Sequence, residues 1–115
     1  MGKEQATTRT EIPPGTLYML VLKSLARLGP MHGYGIAQHI QQQSEDVLQV
    51  EEGSLYPALQ RMLIKGWVVA EWGQSENNRR ARYYHLTAAG KKQLATEISE
   101  FERVMAAIGR VIQPA

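Results

Sequence analysis

The chain has 115 residues and no cysteine, and its 13 Lys and Arg slightly outnumber its 11 Asp and Glu. This length suits one domain with a modest core, and the missing thiols exclude a disulfide framework, a cysteine nucleophile and a cysteine-ligated zinc site. The longest apolar stretch, residues 17–28, is too short to span a bilayer and no secretion signal precedes it, so we expect a cytoplasmic protein that does not engage a membrane.

The positive charge is concentrated in one third of the chain. Residues 54–92 hold seven Lys and Arg against two Glu, a net +5, whereas residues 1–53 carry −2 and residues 93–115 carry −1. A local excess of this kind can attract a polyanion, although such excesses are also common by chance. Composition alone therefore leaves the class of partner open.

The N-terminal third of the chain predicts an arm and two helices. Residues 1–13 are polar and aperiodic, which predicts a flexible arm. Thr16 is a suitable N-cap for a helix over 17–28 that ends at Gly29-Pro30. That helix is apolar around most of its circumference, which predicts contact both with its own core and with a second subunit. A second helix, rich in glutamine, is predicted from about His32 to Gln43.

A third helix is expected after a connector in which Val47, Leu48 and Val50 suit a very short strand. Ser54 is its predicted N-cap, which places Pro57 in the first turn, where a missing N–H costs little. Gly66 is expected to end the helix in a left-handed conformation. Its predicted buried stripe consists of Leu55, Leu59, Met62 and Leu63.

The hydrophobic period then changes from 3.6 to 2, which predicts a β-hairpin. Residues 67–72 and 82–86 form its strands, and residues 73–78 form the turn. We expect Trp67 and Trp72 to pack in the core and at the base of the hairpin rather than to stack on bases.

The last helix is predicted to run from Thr87, as N-cap, to Ile112. It carries a heptad-like seam and is too long for so small a domain to cover, which favours pairing with a second copy in a two-fold homodimer. The alternative is that the seam packs on the first helix of the same chain. The predicted dimer interface comprises Leu17, Val21, Leu94, Ile98, Phe101, Met105, Ile108 and Ile112.

The order of helix, helix, helix, hairpin and long helix is that of a winged helix-turn-helix, a mainly α fold with a small β-hairpin (α+β). In that fold the third helix enters the DNA major groove and the wing follows the backbone. On a helical wheel, five residues of the third helix point away from its stripe, and Arg61 and Gln60 suit base edges while Ser54 and Lys65 suit phosphates or bases. The five are Ser54, Pro57, Gln60, Arg61 and Lys65. An ordinary solvated face is the alternative.

The wing strengthens the nucleic-acid hypothesis. Arg79, Arg80 and Arg82 lie within four residues without an intervening acid, and their mutual repulsion is most easily explained if phosphates accept them. Tyr83 and Tyr84 lie on opposite faces of the strand, so one is expected to pack and the other to offer its hydroxyl to a phosphate. His32 and His39 lack the spacing of a zinc pair, and no catalytic or nucleotide-binding fingerprint occurs. We therefore predict no enzyme activity, cofactor or metal site.

Several segments together resemble the PadR family of bacterial transcriptional regulators over about residues 15–95. The resemblance implies a dimeric winged-helix repressor that binds a near-palindromic operator and is released by a small molecule or another signal. The segments are Pro30–Tyr34, Gly53–Leu59, Arg61, Gly66-Trp67, Arg79–Thr87 and Gly90.

By position, the resemblance adds Tyr56 to the recognition helix and implies a division into an arm (1–13), a DNA-binding domain (14–86) and a dimerisation helix (87–115). This sequence departs from the family pattern at Ile64, where an acid is common. Short relatives can enclose a cavity for flat aromatic ligands, for which Tyr18, Phe101 and Met105 are the candidates here. Phe101 equally suits a packed seam. A winged-helix module that binds another protein and no DNA is the alternative function.

Overall fold

The computed structural model describes residues 9–114 and confirms the winged helix-turn-helix with a long last helix. The helices are α1 (Leu17–Leu28), α2 (Gly33–Gln43), α3 (Glu52–Ile64) and α4 (Ala88–Ile112). The strands are β1 (Thr10–Glu11), β2 (Met31–His32), β3 (Leu48–Gln49), β4 (Val68–Gln74) and β5 (Arg80–Leu86). Among these described residues, no helix is long and apolar enough to cross a membrane.

The core lies where α1, α2 and α3 meet the base of the wing. The apolar residues of α1 recur every three or four positions, so Val21 and Leu22 become fully buried. They are packed in one cluster with the stripe of α3 and with Val68 and Tyr84 of the hairpin. The predicted stripe of α3 is confirmed at Leu55, Leu59 and Met62, while Leu63 is only partly buried.

The wing is an antiparallel hairpin of β4 and β5, to which β2 adds a third strand. Pairing extends two residues beyond the prediction on each strand, to Gln74 opposite Arg80. The turn then closes through a hydrogen bond from the Ser75 amide to the Arg79 carbonyl, at 2.8 Å. Because β2 immediately precedes α2, its pairing with β5 fixes the wing to the start of that helix.

The start of α4 is fixed to the base of the wing. The Thr87 hydroxyl accepts from the Gly90 amide at 3.0 Å, as predicted for an N-cap, and it also donates to the Gly66 carbonyl at 2.7 Å. Gly90 is buried so closely against the backbone that a Cβ would collide with the Trp67 carbonyl oxygen. The base of the wing and the last helix therefore form one packed unit.

Of two predicted helix caps, Thr16 has the predicted position without the predicted hydrogen bond, and Ser54 is misplaced. Thr16 stands at the N-cap of α1, but its hydroxyl donates to the Pro13 carbonyl at 2.8 Å instead of accepting from the helix. The third helix begins earlier than predicted, at Glu52 with Glu51 as N-cap, so Ser54 lies within the helix. Pro57 is consequently the sixth residue of α3 and removes one internal hydrogen bond of that helix.

The predicted flexible arm, residues 1–13, contains a short strand near its C-terminal end. Thr10 and Glu11 form β1, which pairs in parallel with β3. Thr10 lies opposite Leu48, and Glu11 lies opposite Gln49. Ile12 packs against the core. Burial of the apolar Ile12 side chain holds this part of the chain against the domain, although the segment is polar on average. Residues 1–8 of the predicted arm lie outside the described residues.

The predicted dimer seam divides into a covered and an uncovered part. Val21 and Leu94 are buried inside the subunit and pack in its core, so they leave little or no surface for a second copy. Leu17 and Ile98 are partly buried and pack against the same core. Beyond residue 98, the large apolar side chains of α4 are exposed: Phe101, Val104, Met105, Ile108, Val111 and Ile112.

Candidate nucleic-acid interface

The outer face of α3 is exposed as its period predicts. Its buried side chains occupy one face, and every candidate residue named for DNA contact on this helix lies in solvent. The helix therefore presents a polar and aromatic surface that its own core does not use. The exposed candidates are Ser54, Tyr56, Pro57, Gln60, Arg61 and Lys65.

An open groove of about 670 Å³ runs between the start of α2, the side chain of Tyr56 on α3 and the inner face of the wing. All three wing arginines line it, and Glu76 at the tip is its one acidic lining residue. The structure thus brings the wing arginines and one end of α3 to a common, basic surface. The groove is lined by His32, Gly33, Tyr34, Gln38, Tyr56, Trp72, Ser75, Glu76, Asn77, Arg79, Arg80, Ala81, Arg82 and Tyr84.

Trp72 is a groove residue that the sequence analysis placed wrongly. It is 58% exposed rather than packed at the base of the hairpin. The guanidinium carbon of Arg80 lies 4.6 Å from the centroid of its ring, and that of Arg82 lies 5.9 Å away. Trp72 stands opposite Arg82 in the register, beyond the edge of the core. The ring therefore lies within cation–π distance of both arginines and is closest to Arg80.

Tyr56 lies beside the groove with its ring against the backbone of α2. A Cβ on Gly33 would stand 2.8 Å from the Tyr56 ring and hydroxyl, so only glycine permits this contact. Burial raises the pKa of Tyr56, and the nearby charges of Glu52 and Tyr84 raise it further. The phenol therefore stays neutral at physiological pH and keeps a proton to donate.

Tyr34 is a second groove residue that the sequence analysis missed. It is 66% exposed at the second position of α2 and stacks near His32, with ring centroids 6.4 Å apart. The His32 ring in turn caps α2, since its Nδ1 accepts from the Gly35 amide at 3.0 Å. The sequence offered one indication of this role, a tyrosine in the first turn of a predicted helix and outside its apolar face.

Tyr83 does not belong to the groove. It lies on the opposite face of β5 from Arg82, as the alternation of a strand requires, and Tyr84 is the tyrosine that packs in the core. The Tyr83 hydroxyl donates to the Gln74 carbonyl at 2.9 Å. Since a phenol has a single proton, Tyr83 has none left for a phosphate in this arrangement.

Arg61 and Lys65 form a separate cluster toward the C-terminal end of α3. Arg61 Nε donates to the Tyr18 hydroxyl at 2.6 Å, and Lys65 Nζ lies 5.3 Å from the centroid of the Trp67 ring. Trp67 also contacts Tyr18 edge-on, with centroids 5.5 Å apart. We call Tyr18, Arg61, Lys65 and Trp67 the Tyr18 cluster.

The predicted effector pocket is not formed within one described subunit. Tyr18 contacts Arg61 and Trp67 within the Tyr18 cluster. Phe101 and Met105 are exposed on α4 and line neither the groove nor the smaller cavity beside residues 11–15. Ser54 lines the second, smaller cavity of about 240 Å³, beside residues 11–15 rather than beside the wing.

The chain was compared with known families, proteins and structures. A model of the PadR-like transcriptional regulator family matches residues 21–96. A protein of Lysinibacillus sphaericus, itself uncharacterised, is 28% identical over 96 residues, which cover 84% of this chain and 87% of that protein. A PadR family transcriptional regulator from Eggerthella lenta superposes with a TM-score of 0.74 and 25% identity, covering 88% of this chain and 85% of the other. A transcriptional regulator from Clostridium thermocellum, at 24% identity, shares the fold with a TM-score of 0.78 over 86% of this chain and 95% of its own.

Proposed function

Because the chain belongs to the PadR-like family of transcriptional regulators, we propose that it is a homodimeric repressor that binds a near-palindromic operator through α3 and the wing. The observation that carries this proposal is the groove between α3 and the wing, which collects Arg79, Arg80 and Arg82 with exposed aromatic side chains. Its positive charge suits a phosphodiester backbone, with α3 on one side in the major groove and the wing on the other.

The groove residues have complementary roles in this proposal. The arginines neutralise phosphates, and the neutral phenol of Tyr56 and the exposed phenol of Tyr34 supply hydrogen-bond donors along the same path. Gln60 and Arg61, exposed on α3, face the base edges. Phosphate contacts would then fix the position of the protein, and the contacts of α3 would select the sequence.

The homodimer is proposed from the uncovered part of α4. From Phe101 to Ile112 the helix carries six large apolar side chains that the subunit leaves exposed. A contiguous apolar patch of this kind is typical of an interface. A two-fold axis through this part of α4 would present two copies of α3 to successive major grooves, as a symmetric operator requires. A cavity at that axis, with Phe101 and Met105 in its wall, is where we place a flat aromatic effector that releases DNA.

The test is selection of DNA followed by a salt titration. The purified protein is expected to retain specific fragments of its own genome, and affinity for them should fall steeply as salt rises. Changing Arg79, Arg80 and Arg82 to Ala should flatten the slope of log Kd against log salt by about 0.9 for each lost phosphate contact. The matched control removes three exposed cations outside the groove, Lys23, Arg27 and Lys92.

Equal slopes in the wing variant and the control would remove the wing from the interface. Retention of no DNA at any salt concentration, together with capture of a protein partner that the wing variant no longer captures, would favour a protein-binding winged helix instead.

A further inference from the structure

The hydrogen bond between Arg61 and Tyr18 joins two elements that lie far apart in the chain. Arg61 is on the outer face of α3, and Tyr18 is in the first turn of α1, 43 positions earlier. The Nε–Oη distance of 2.6 Å is short, and the guanidinium carbon also lies 5.8 Å from the centroid of the Tyr18 ring. Tyr18 is therefore in contact with the arginine through both its hydroxyl and its ring.

Tyr18 is itself held in place. Its ring packs against the core and meets the Trp67 ring edge-on, at an interplanar angle of 81°. A partly buried phenol with a fixed ring offers its oxygen in one position, whereas a free arginine side chain samples many rotamers. The hydrogen bond thus reduces the freedom of an otherwise exposed base-contact candidate.

The atom that donates decides which edge of the guanidinium remains for DNA. An arginine has five N–H donors, one on Nε and two on each Nη. With Nε committed to Tyr18, the side-on pair of Nε and one Nη is no longer available. The end-on pair of the two Nη groups remains free and can donate to O6 and N7 of one guanine.

We propose that Tyr18 is a positioning residue that orients Arg61 for end-on recognition of a guanine; this inference rests on the DNA binding proposed above. The contact also connects the base-contacting face of α3 to α1, and α1 packs against α4. In this proposal Tyr18 serves the DNA-reading surface, a role separate from the effector pocket between the first and last helices for which the sequence made it a candidate.

The variant that isolates this role is Tyr18→Phe. It keeps the ring, and with it the contacts to Trp67, to the core and to the guanidinium, and removes only the hydroxyl. Thermal unfolding should therefore change little. Losing one hydrogen bond should lower affinity for the selected operator by about two- to tenfold, while affinity for unrelated duplex DNA stays unchanged.

Selection from a randomised duplex library measures the base preference at each operator position, which a purely structural role of Tyr18 would leave unchanged. Native protein, Tyr18→Phe and Arg61→Ala are each used to select sequences. We expect Tyr18→Phe to relax the preference at the same base pair of each half-site that Arg61→Ala relaxes. Adding Tyr18→Phe to Arg61→Ala should have no further effect, because the oriented group is already gone.

Three results overturn the proposal: an unchanged operator preference in Tyr18→Phe, a uniform loss at all positions, or a full additional loss in the Arg61→Ala background. The nitrogen-15 resonance of Arg61 Nε–H in the free protein provides a test independent of DNA. It should be protected from solvent exchange in the native protein and lose that protection in Tyr18→Phe. If the native protein selects no sequence, the proposed function fails. A protected Nε–H in that case would show that the contact between Tyr18 and Arg61 exists although the proposed DNA binding does not.

Discussion

Trp72 gives a sharp test of how the wing is organised. We expect Trp72→Ala to weaken DNA binding without changing its salt dependence. The variant keeps Arg80 and Arg82, so the number of phosphates neutralised is unchanged and the slope of log Kd against log salt should match that of the native protein. What is lost is the ring against which both guanidinium groups rest.

The size of the effect follows from the two distances. A cation interacts with an aromatic ring within about 6 Å of its centroid, and at an exposed site the contact is worth about 0.5–1 kcal/mol. Arg80, at 4.6 Å, is well inside this range, whereas Arg82, at 5.9 Å, is at its limit. A released arginine must be ordered again on binding, at about 0.5–1.5 kcal/mol. Because only Arg80 is closely held, we expect a loss of about 1 kcal/mol per wing, roughly fivefold for each wing and about 25-fold in the Kd of a dimer that uses both wings.

The assay is fluorescence anisotropy of a labelled operator duplex over a series of salt concentrations. Val69→Ala is the matched control, since Val69 is an exposed apolar residue of the same strand that faces the other way. Trp72→Phe, which retains a ring, should fall between the native protein and Trp72→Ala. A flattened slope in Trp72→Ala would mean that phosphate contacts are lost with the ring, contrary to this prediction. Tighter binding would show that the indole withholds the arginines from DNA.

Two further variants test how α4 packs in the subunit and whether it forms the dimer interface. Gly90→Ala should destabilise the fold by about 3 kcal/mol in chemical denaturation, because the new Cβ has no space beside the Trp67 carbonyl oxygen. Gly53→Ala is the control: the position has open space around it, so the free energy of unfolding should stay nearly unchanged. Ile108→Asp combined with Ile112→Asp should give folded monomers in sedimentation velocity, since both side chains are exposed in the subunit; a persistent dimer would move the interface away from this part of α4. Ile98 is unsuitable for that experiment, because it packs against the core of its own chain.

The helix caps show where local patterns are insufficient. Thr16 and Ser54 are both residues that favour N-caps, yet neither caps its helix through its side chain. Cap formation depends on the path by which the chain enters the helix. At α1 that path places the Pro13 carbonyl within reach of the Thr16 hydroxyl, and at α3 the helix begins three residues before the turn that Ser54 would cap. Neither entry path is encoded in the spacing of apolar residues.

The wing shows the same division. A change of period from 3.6 to 2 predicted two strands and a basic tip, and both are present. The sequence could not show that the core ends before Trp72, because aromatic residues in a strand are equally suited to packing and to an exposed face. The register, in which Trp72 opposes Arg82, is what converts an expected packing residue into a support for two arginines.

Three features follow from the order of the residues alone: the succession of the elements, the buried stripe of α3 and the concentration of positive charge in residues 54–92. Periodicity suffices for these features, since it fixes which side chains of one element share a face. The contact of Tyr18 with Arg61, and the exposure of the large apolar side chains of α4 after Ile98, become visible only once the elements are packed together. Such contacts depend on how helices pack against one another and on how far a small core extends, and neither quantity is contained in the pattern of a single element.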